Sequence, residues 1–176
     1  METVYCTSFQ SSIGTIYVAS TDRGICKISL PRETKKDFIA WLHQHFDDNA
    51  VIESRSKNKV LIDELSRYFK RRLVQFTLPL DDRGTPFQRK VWRELLRVPY
   101  GRTITYKELA RKVGAPKAYR AIGQALHANP LPILVPCHRV IGSDGSLKGY
   151  TSGVKTKEFL LRLEGALMLK GRLHCK

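Results

Sequence analysis

The sequence predicts an α+β fold in two parts: an N-terminal α/β domain with a small antiparallel sheet over residues 1–82, and a mostly helical C-terminal domain over residues 83–176. Short runs rich in β-branched residues flank a tight turn in the first part, and apolar residues recur at helical spacing in the second. The charge also changes abruptly near the boundary. With 42% hydrophobic and 27% charged residues, the 176-residue chain has the composition of a globular protein rather than a disordered one.

The first part alternates strands and helices. Residues 15–19 and 25–30 have the composition of strands and are joined by a turn at residues 22–24. Apolar residues three and four positions apart then predict helices over residues 35–46 and about 60–69. None of these segments carries a chemical motif, so we expect this part to be structural.

The second part begins after the polar stretch 81–84, which has the composition of a linker. Thr85 suits the N-cap of a helix and Pro86 its first turn. Apolar residues continue with helical spacing until the chain reaches Pro99, where we expect the helix to end.

The next two helices resemble a helix-turn-helix. Thr105 and Glu108 form a capping-box pattern at the start of the first helix, and a turn at residues 114–116 precedes a second helix over about residues 118–127. The face of this second helix that is predicted to be exposed carries Tyr119, Arg120 and Gln124. Small residues that would allow close approach to a partner are Ala121, Gly123 and Ala125. Helix pairs of this kind also occur in proteins that bind no DNA.

The basic charge of the chain is concentrated in the second part. Residues 1–82 carry 12 Lys and Arg against 11 Asp and Glu, whereas residues 83–176 carry 19 against 5, or +14 of the total of +15. Such a split favours a polyanion-binding part beside a neutral one. A solvated basic surface is the alternative.

Four cysteines lie far apart in the sequence and form no C-x-x-C pair. They are Cys6, Cys26, Cys137 and Cys175. This usage is typical of free thiols in a reducing compartment, and the spacing of His43 and His45 does not favour a metal site. No apolar run is long enough to span a membrane. The N-terminal residues show no basic segment leading into an apolar one, so we expect no secretory signal. We therefore expect a cytoplasmic monomer, or a nuclear one in a eukaryote.

The most distinctive segment is NPLPILVPCHRV, residues 129–140. Three prolines predict a stiff, extended segment rather than a helix, so Cys137 at its end is held in place. His138 and Arg139 supply a base or a positive potential, which lowers the pKa of a thiol. Glu164, in a later apolar helix, is a candidate to orient the histidine. A buried, inert cysteine and an exposed helix-end carboxylate are the alternatives.

Together these residues resemble the active-site motif of the O6-alkylguanine-DNA alkyltransferases. The resemblance is carried by Pro136-Cys137-His138-Arg139-Val140, by Asn129-Pro130 upstream and by Gly149-Tyr150 downstream. It covers roughly residues 85–165, whereas the first part matches only in length and α/β pattern.

The resemblance implies single-turnover repair of duplex DNA containing alkylated guanine, with O4-alkylthymine as a further candidate substrate. Cys137 would accept the alkyl group irreversibly, His138 would act as base through a water, and Glu164 would orient His138. Tyr106 would protonate the leaving purine. No cofactor and no metal are implied.

The resemblance also implies a pocket for an extruded nucleotide. Its residues would be Asn129, Pro132, Val140, Tyr150, Thr151, Ser152 and Lys157. Arg120 would enter the base stack while the helix that carries it lies in the minor groove. Tyr119, Ala121, Gly123 and Gln124 would complete this DNA-binding surface.

Two residues depart from the family pattern, which often has Ser-Gly-Gly after the loop tyrosine. Here Thr151-Ser152-Gly153 follows Tyr150, and the extra side chains would narrow the slot or stiffen the loop. Three other functions compete with alkyl transfer: a DNA-binding relative without transfer activity, a transcription regulator, and a thiol hydrolase.

Overall fold

Two units make up the chain in a computed structural model, Met1–Arg83 and Gly84–Lys176. The model describes residues 2–147 and 149–167. The first unit mixes a small sheet with helices and the second is mainly helical, which confirms the predicted fold class.

The first unit is built on a four-stranded sheet. Its strands are β1 (Val4–Ser11), β2 (Gly14–Thr21), β3 (Gly24–Ser29) and β4 (Val51–Glu53). They lie in the order β3-β2-β1-β4, with β1, β2 and β3 antiparallel and β4 parallel to β1. The predicted hairpin is confirmed. Strand β1 was not predicted because its polar residues weaken the strand pattern, and β4 was not predicted because it has only three residues.

Two helices accompany this sheet, α1 (Lys35–His45) and α2 (Lys59–Phe69). Phe38 of α1 packs with Cys6 and Cys26 of the sheet in one apolar cluster. Burial raises the pKa of both thiols, that of Cys26 to about 12, so neither is a ready nucleophile. Cys175 lies outside the described residues.

Among its described residues, the second unit contains four α-helices and a two-stranded parallel sheet. They are α3 (Pro86–Leu96), β5 (Ile104–Thr105), α4 (Tyr106–Lys112), α5 (Tyr119–His127), β6 (Val140–Ile141) and α6 (Val154–Leu163). The Thr85 and Thr105 side chains each accept a hydrogen bond from the backbone three residues on, which confirms both predicted helix starts.

Helices α3 and α5 pack through their apolar faces. Trp92 of α3 is buried and donates from Nε1 to the carbonyl of Ala125 at 2.8 Å. Ile122, Ala125 and Leu126 are buried on α5, so Ala125 faces the interior of the unit. The opposite face of α5 therefore remains available to a partner. Within the described ranges, no helix has the length and apolar character needed to cross a bilayer.

Candidate active site

The segment before Cys137 is a folded loop rather than the extended segment that we expected. Ile133 adopts a left-handed conformation with φ 76°, and the Val135 amide donates back to the Leu131 carbonyl at 2.8 Å. Asn129 closes the loop, accepting from the Leu131 amide at 3.0 Å and donating to the Val135 carbonyl at 2.9 Å. The proline pattern indicated stiffness correctly but could not reveal this reversal of direction.

Cys137 begins a one-turn 3-10 helix, Cys137–Arg139, at the end of that loop. Its side chain is buried, and Asn129 Nδ2 lies 3.2 Å from the sulfur. Burial raises the pKa of the thiol, although the Asn129 hydrogen bond, the Lys157 charge and neighbouring backbone N–H groups act in the opposite direction. The direction is opposite to the lowered pKa that we expected, because desolvation of the buried thiol outweighs these contacts.

His138 and Glu164 form a buried pair. Nε2 of His138 lies 2.7 Å from Oε1 of Glu164, and both side chains are fully shielded from solvent. Burial lowers the pKa of His138 below its usual value, although the Glu164 hydrogen bond and charge oppose this. Among the described residues no group hydrogen-bonds to His138 Nδ1, so this nitrogen is available as a base.

Arg139 completes the cluster. The sequence predicted only its positive potential beside Cys137, whereas the structure shows that it binds Glu164. Its guanidinium binds Glu164 through two nitrogens, Nε at 2.8 Å and Nη2 at 2.9 Å, while Nη1 donates to the Val98 carbonyl. Burial alone would raise the pKa of Glu164, but the hydrogen bonds and charges of His138 and Arg139 outweigh it and hold that pKa well below the usual value. An arginine in an otherwise apolar segment was the available signal, since a buried cation requires an anion.

Lys157 adds a second buried cation. Its Nζ donates to the carbonyl of Val140 at 2.5 Å, and the side chain is fully buried. Burial lowers the pKa of Lys157 to about 8, whereas a Cys137 thiolate would raise it. Since a carbonyl oxygen has two lone pairs, Val140 can accept a second donor.

Two tyrosines lie near the thiol. The Tyr106 hydroxyl donates to the carbonyl of Gly149 at 3.4 Å, and Tyr150 is buried. Burial, followed by the charge of Cys137, raises the pKa of both phenols, so both remain proton donors at neutral pH. Gly149 has φ 74°, and any side chain there would strike the Tyr106 hydroxyl, which explains the glycine.

The residues predicted to contact DNA lie on α5. Tyr119, Arg120 and Gln124 are exposed, whereas Ala121 and Gly123 are partly buried. A Cβ added at Gly123 would meet no described atom within 4 Å. The glycine is therefore not required by packing within the described chain, which is consistent with close approach of a partner.

The loop after Tyr150 contacts the end of α5. Thr151 Oγ1 lies 3.2 Å from Nδ1 of His127, the last residue of that helix. Ser152 is partly buried and Pro132 is buried.

Taken together, the residues of the site provide a buried thiol, an available base and a cation, a set suited to nucleophilic displacement.

Two family models match nearly the whole chain. Residues 4–81 match the ribonuclease-like domain of 6-O-methylguanine DNA methyltransferase, and residues 86–166 match the DNA binding domain. The methylated-DNA--protein-cysteine methyltransferase of Methanosarcina barkeri is 42% identical over 163 residues, which are 92% of this chain and 97% of that protein. The chain belongs to the 6-O-methylguanine DNA methyltransferase family.

Other members of the methyltransferase family agree in sequence and in fold. The constitutive methylated-DNA--protein-cysteine methyltransferase of Bacillus subtilis is 40% identical, and the alignment covers 91% of this chain and 94% of that protein. The crystal structure of Mycobacterium tuberculosis OGT in complex with DNA superposes with a TM-score of 0.80 at 37% identity, covering 92% of each chain. The predicted family is confirmed.

Proposed function

We propose that this protein repairs DNA by transferring the alkyl group from O6 of guanine to the sulfur of Cys137, once per molecule. The observation that carries the proposal is the environment of that sulfur. Asn129 donates a hydrogen bond to it, and His138, the next residue in the chain, is paired with the buried Glu164. Membership of a family whose relatives are named for this reaction supports it.

The reaction is an in-line displacement at a saturated carbon. The Cys137 sulfur forms a bond to the alkyl carbon as the bond from that carbon to O6 breaks. The thiol proton passes through a water to Nδ1 of His138, whose other nitrogen faces Glu164. Because the resulting thioether is stable to water, the protein is consumed and needs no cofactor.

The leaving guanine would otherwise depart as an anion. Tyr106 donates a proton to the purine ring; burial raises the pKa of its phenol and so keeps that proton in place until the base departs. The imidazolium of His138 then returns the thiol proton to the phenolate through water. Backbone N–H groups of Thr151 and Ser152 stabilise O6 in the manner of an oxyanion hole.

Recognition of the base uses the walls of the buried loop. The carbonyls of Cys137 and Val140 accept the guanine amino group, while Tyr150 and Pro132 line the slot for the alkyl group. Lys157 holds the Val140 carbonyl in place, and Asn129 holds the loop.

Access to the base requires extrusion of the nucleotide from the duplex. Arg120, exposed on α5, fills the space that the base leaves, with Tyr119 and Gln124 beside it. The small residues Ala121 and Gly123 allow α5 to lie in the minor groove, where proteins read little sequence.

Residues 83–176 carry DNA binding and transfer, and residues 1–82 are structural. The protein acts as a monomer on chromosomal DNA, in the cytoplasm or in a eukaryotic nucleus.

A mass measurement tests the proposed function directly. The whole chain is incubated with duplex containing O6-methylguanine, and its peptides are mapped by mass spectrometry. We expect one methyl group per protein, on the peptide that contains Cys137. Cys137→Ala should abolish the gain in mass but retain DNA binding, whereas the buried-thiol control Cys26→Ala should react normally. An unchanged mass of the unsubstituted chain, or methyl on another cysteine, would refute the assignment.

A further inference from the structure

Three buried titratable side chains, an imidazole, a guanidinium and a carboxylate, meet at the end of α6. His138, Arg139 and Glu164 are 0%, 7% and 5% exposed. A carboxylate in this position could draw a second proton onto the imidazole, because a buried anion favours the imidazolium form. A protonated His138 could not accept the thiol proton, so the proposed mechanism requires something to prevent this.

We propose that Arg139 is a positioning residue that neutralises Glu164 and thereby keeps His138 uncharged, with its proton on Nε2 and its lone pair on Nδ1. That the Nδ1 lone pair accepts the thiol proton rests on the proposed function. That the lone pair is on Nδ1 does not, because it follows from the hydrogen bonds of the cluster alone. Arg139 acts through Glu164 and has no assigned contact with the reacting atoms.

The geometry of the guanidinium supports this role. Nε and Nη2 bind the two oxygens of Glu164 separately, Oε2 at 2.8 Å and Oε1 at 2.9 Å. Oε1 also lies 2.7 Å from His138 Nε2. Since an ionised carboxylate only accepts hydrogen bonds, the proton between Oε1 and the imidazole belongs to Nε2. In an uncharged ring, Nδ1 is then the acceptor.

The backbone holds the guanidinium in this orientation. Its third nitrogen, Nη1, donates to the Val98 carbonyl at 2.5 Å, and its carbon lies 6.0 Å from the centre of the Tyr100 ring. The Gly101 amide approaches Oε2 of Glu164 at 3.4 Å. The turn that ends α3 therefore positions both partners of the ion pair, and Arg139 cannot leave Glu164 without losing the bond to Val98.

The surrounding charges point the same way. Glu164 alone favours the imidazolium form of His138, whereas the positive charges of Arg139 and Lys157 disfavour it, as does burial. Among the described residues, Cys137 and Tyr150 also lie near this cluster, and burial raises the pKa of both, which disfavours their charged forms. Of the two cations, Arg139 is the one bound directly to Glu164.

The variants Arg139→Gln and Arg139→Lys separate the effect of the positive charge of Arg139 from the effect of its planar, two-pronged hydrogen bonding to Glu164. The rate of methyl transfer is measured at saturating O6-methylguanine duplex between pH 5 and pH 9. Removing the charge in Arg139→Gln should move the acid limb of the profile upward by about one pH unit or more. Arg139→Lys, which keeps the charge but loses the fork, should have an acid limb close to that of the unsubstituted protein. Arg97→Gln, which removes an exposed cation, is the matched control and should leave the midpoint unchanged.

A second measurement needs neither transfer activity nor stable variants. Nitrogen-15 NMR of the ring of His138 in the unsubstituted, DNA-free protein should show a neutral ring protonated on Nε2 at pH 7. An imidazolium at pH 7 would overturn the proposal even if the protein transfers methyl groups normally. So would an Arg139→Gln profile that is lower at every pH but has an unchanged midpoint, or an Arg139→Lys midpoint shifted as far as that of Arg139→Gln. Failure of methyl transfer in the unsubstituted protein would instead refute the proposed function.

Discussion

Asn129 Nδ2 lies 3.2 Å from the sulfur of Cys137 and 2.9 Å from the carbonyl of Val135. One amide group therefore both shapes the loop and contacts the nucleophile. Because Asn129 lies two residues after the end of α5, the proposed DNA-binding helix leads closely into the side chain that contacts the reactive sulfur.

Substitution of Asn129 should impair both stability and transfer. Asn129→Ala removes the partners of the Leu131 amide and the Val135 carbonyl, at a cost of about 1–3 kcal/mol in the free energy of unfolding. Asn129→Asp is the informative comparison, because it preserves the acceptor for Leu131 but can place a negative charge beside the sulfur. We expect slower transfer in Asn129→Asp than in Asn129→Ala, measured by single-turnover kinetics alongside urea unfolding. Equal rates would show that Asn129 acts only on the loop.

Loss of the Tyr106 hydroxyl should slow the chemical step without destabilising the fold. Its hydrogen bond to Gly149 is long, at 3.4 Å, so Tyr106→Phe should cost less than about 1 kcal/mol of stability. Removal of a general acid should lower the transfer rate by about 100-fold. Tyr17→Phe in the first unit provides a control for loss of a phenol. A Tyr106→Phe rate equal to that of the control would exclude proton donation by Tyr106.

Arg120→Ala should discriminate between substrates. If Arg120 fills the gap left by the extruded nucleotide, repair in duplex DNA should fall by about tenfold or more, since unstacking costs a few kcal/mol. Reaction with free O6-benzylguanine, which needs no extrusion, should stay within about twofold. Arg97→Ala removes a cation elsewhere in the same unit and should affect neither reaction. Parallel losses with both substrates would reject the role of Arg120 in the duplex.

Lys157→Met should slow transfer while leaving the protein at least as stable. The buried ammonium favours the thiolate of Cys137, and its loss should reduce the transfer rate at pH 7 by about tenfold, the equivalent of one pKa unit. Methionine fills a similar volume without the desolvation cost of a buried charge. Single-turnover rates and thermal unfolding at pH 7 test the two effects separately. A variant that is both unstable and inactive would indicate a structural lysine.

The pH dependence of stability should reveal the same lysine. Its pKa is about 8 in the folded protein against 10.5 for an ordinary lysine, so between these values the unfolded chain binds more protons. Below pH 8 the free energy of unfolding is reduced by the full cost of burying the charged lysine. As the pH rises from about 8 to 10.5 the folded protein releases this proton first, so the free energy of unfolding increases. The advantage of Lys157→Met over the unsubstituted protein should shrink across this window, by up to about 3 kcal/mol. A difference that is constant in urea unfolding from pH 7 to 10.5 would contradict the lowered pKa.

Local sequence patterns were sufficient for most of the helices. The N-cap at Thr85 with Pro86 beside it, the capping box at Thr105 and the apolar periodicity of α5 depend on residues at most four apart, which a reader of the sequence can compare directly. Strand β4 was missed since its three residues are stabilised by a partner distant in the sequence. Val4 of β1 pairs with Val51 of β4, 47 positions away.

The same division applies to the site. The sequence alone determined the nucleophile candidate, the adjacent base and the family, because these depend on a short stiff segment and its residue types. Only the tertiary structure decided the charge state of the site. It brings Glu164 to His138 and Arg139 across 26 and 25 positions, and it buries Cys137 so deeply that desolvation raises the pKa of the thiol. Desolvation and Coulomb interactions depend on distance in space, which no local pattern of residues specifies.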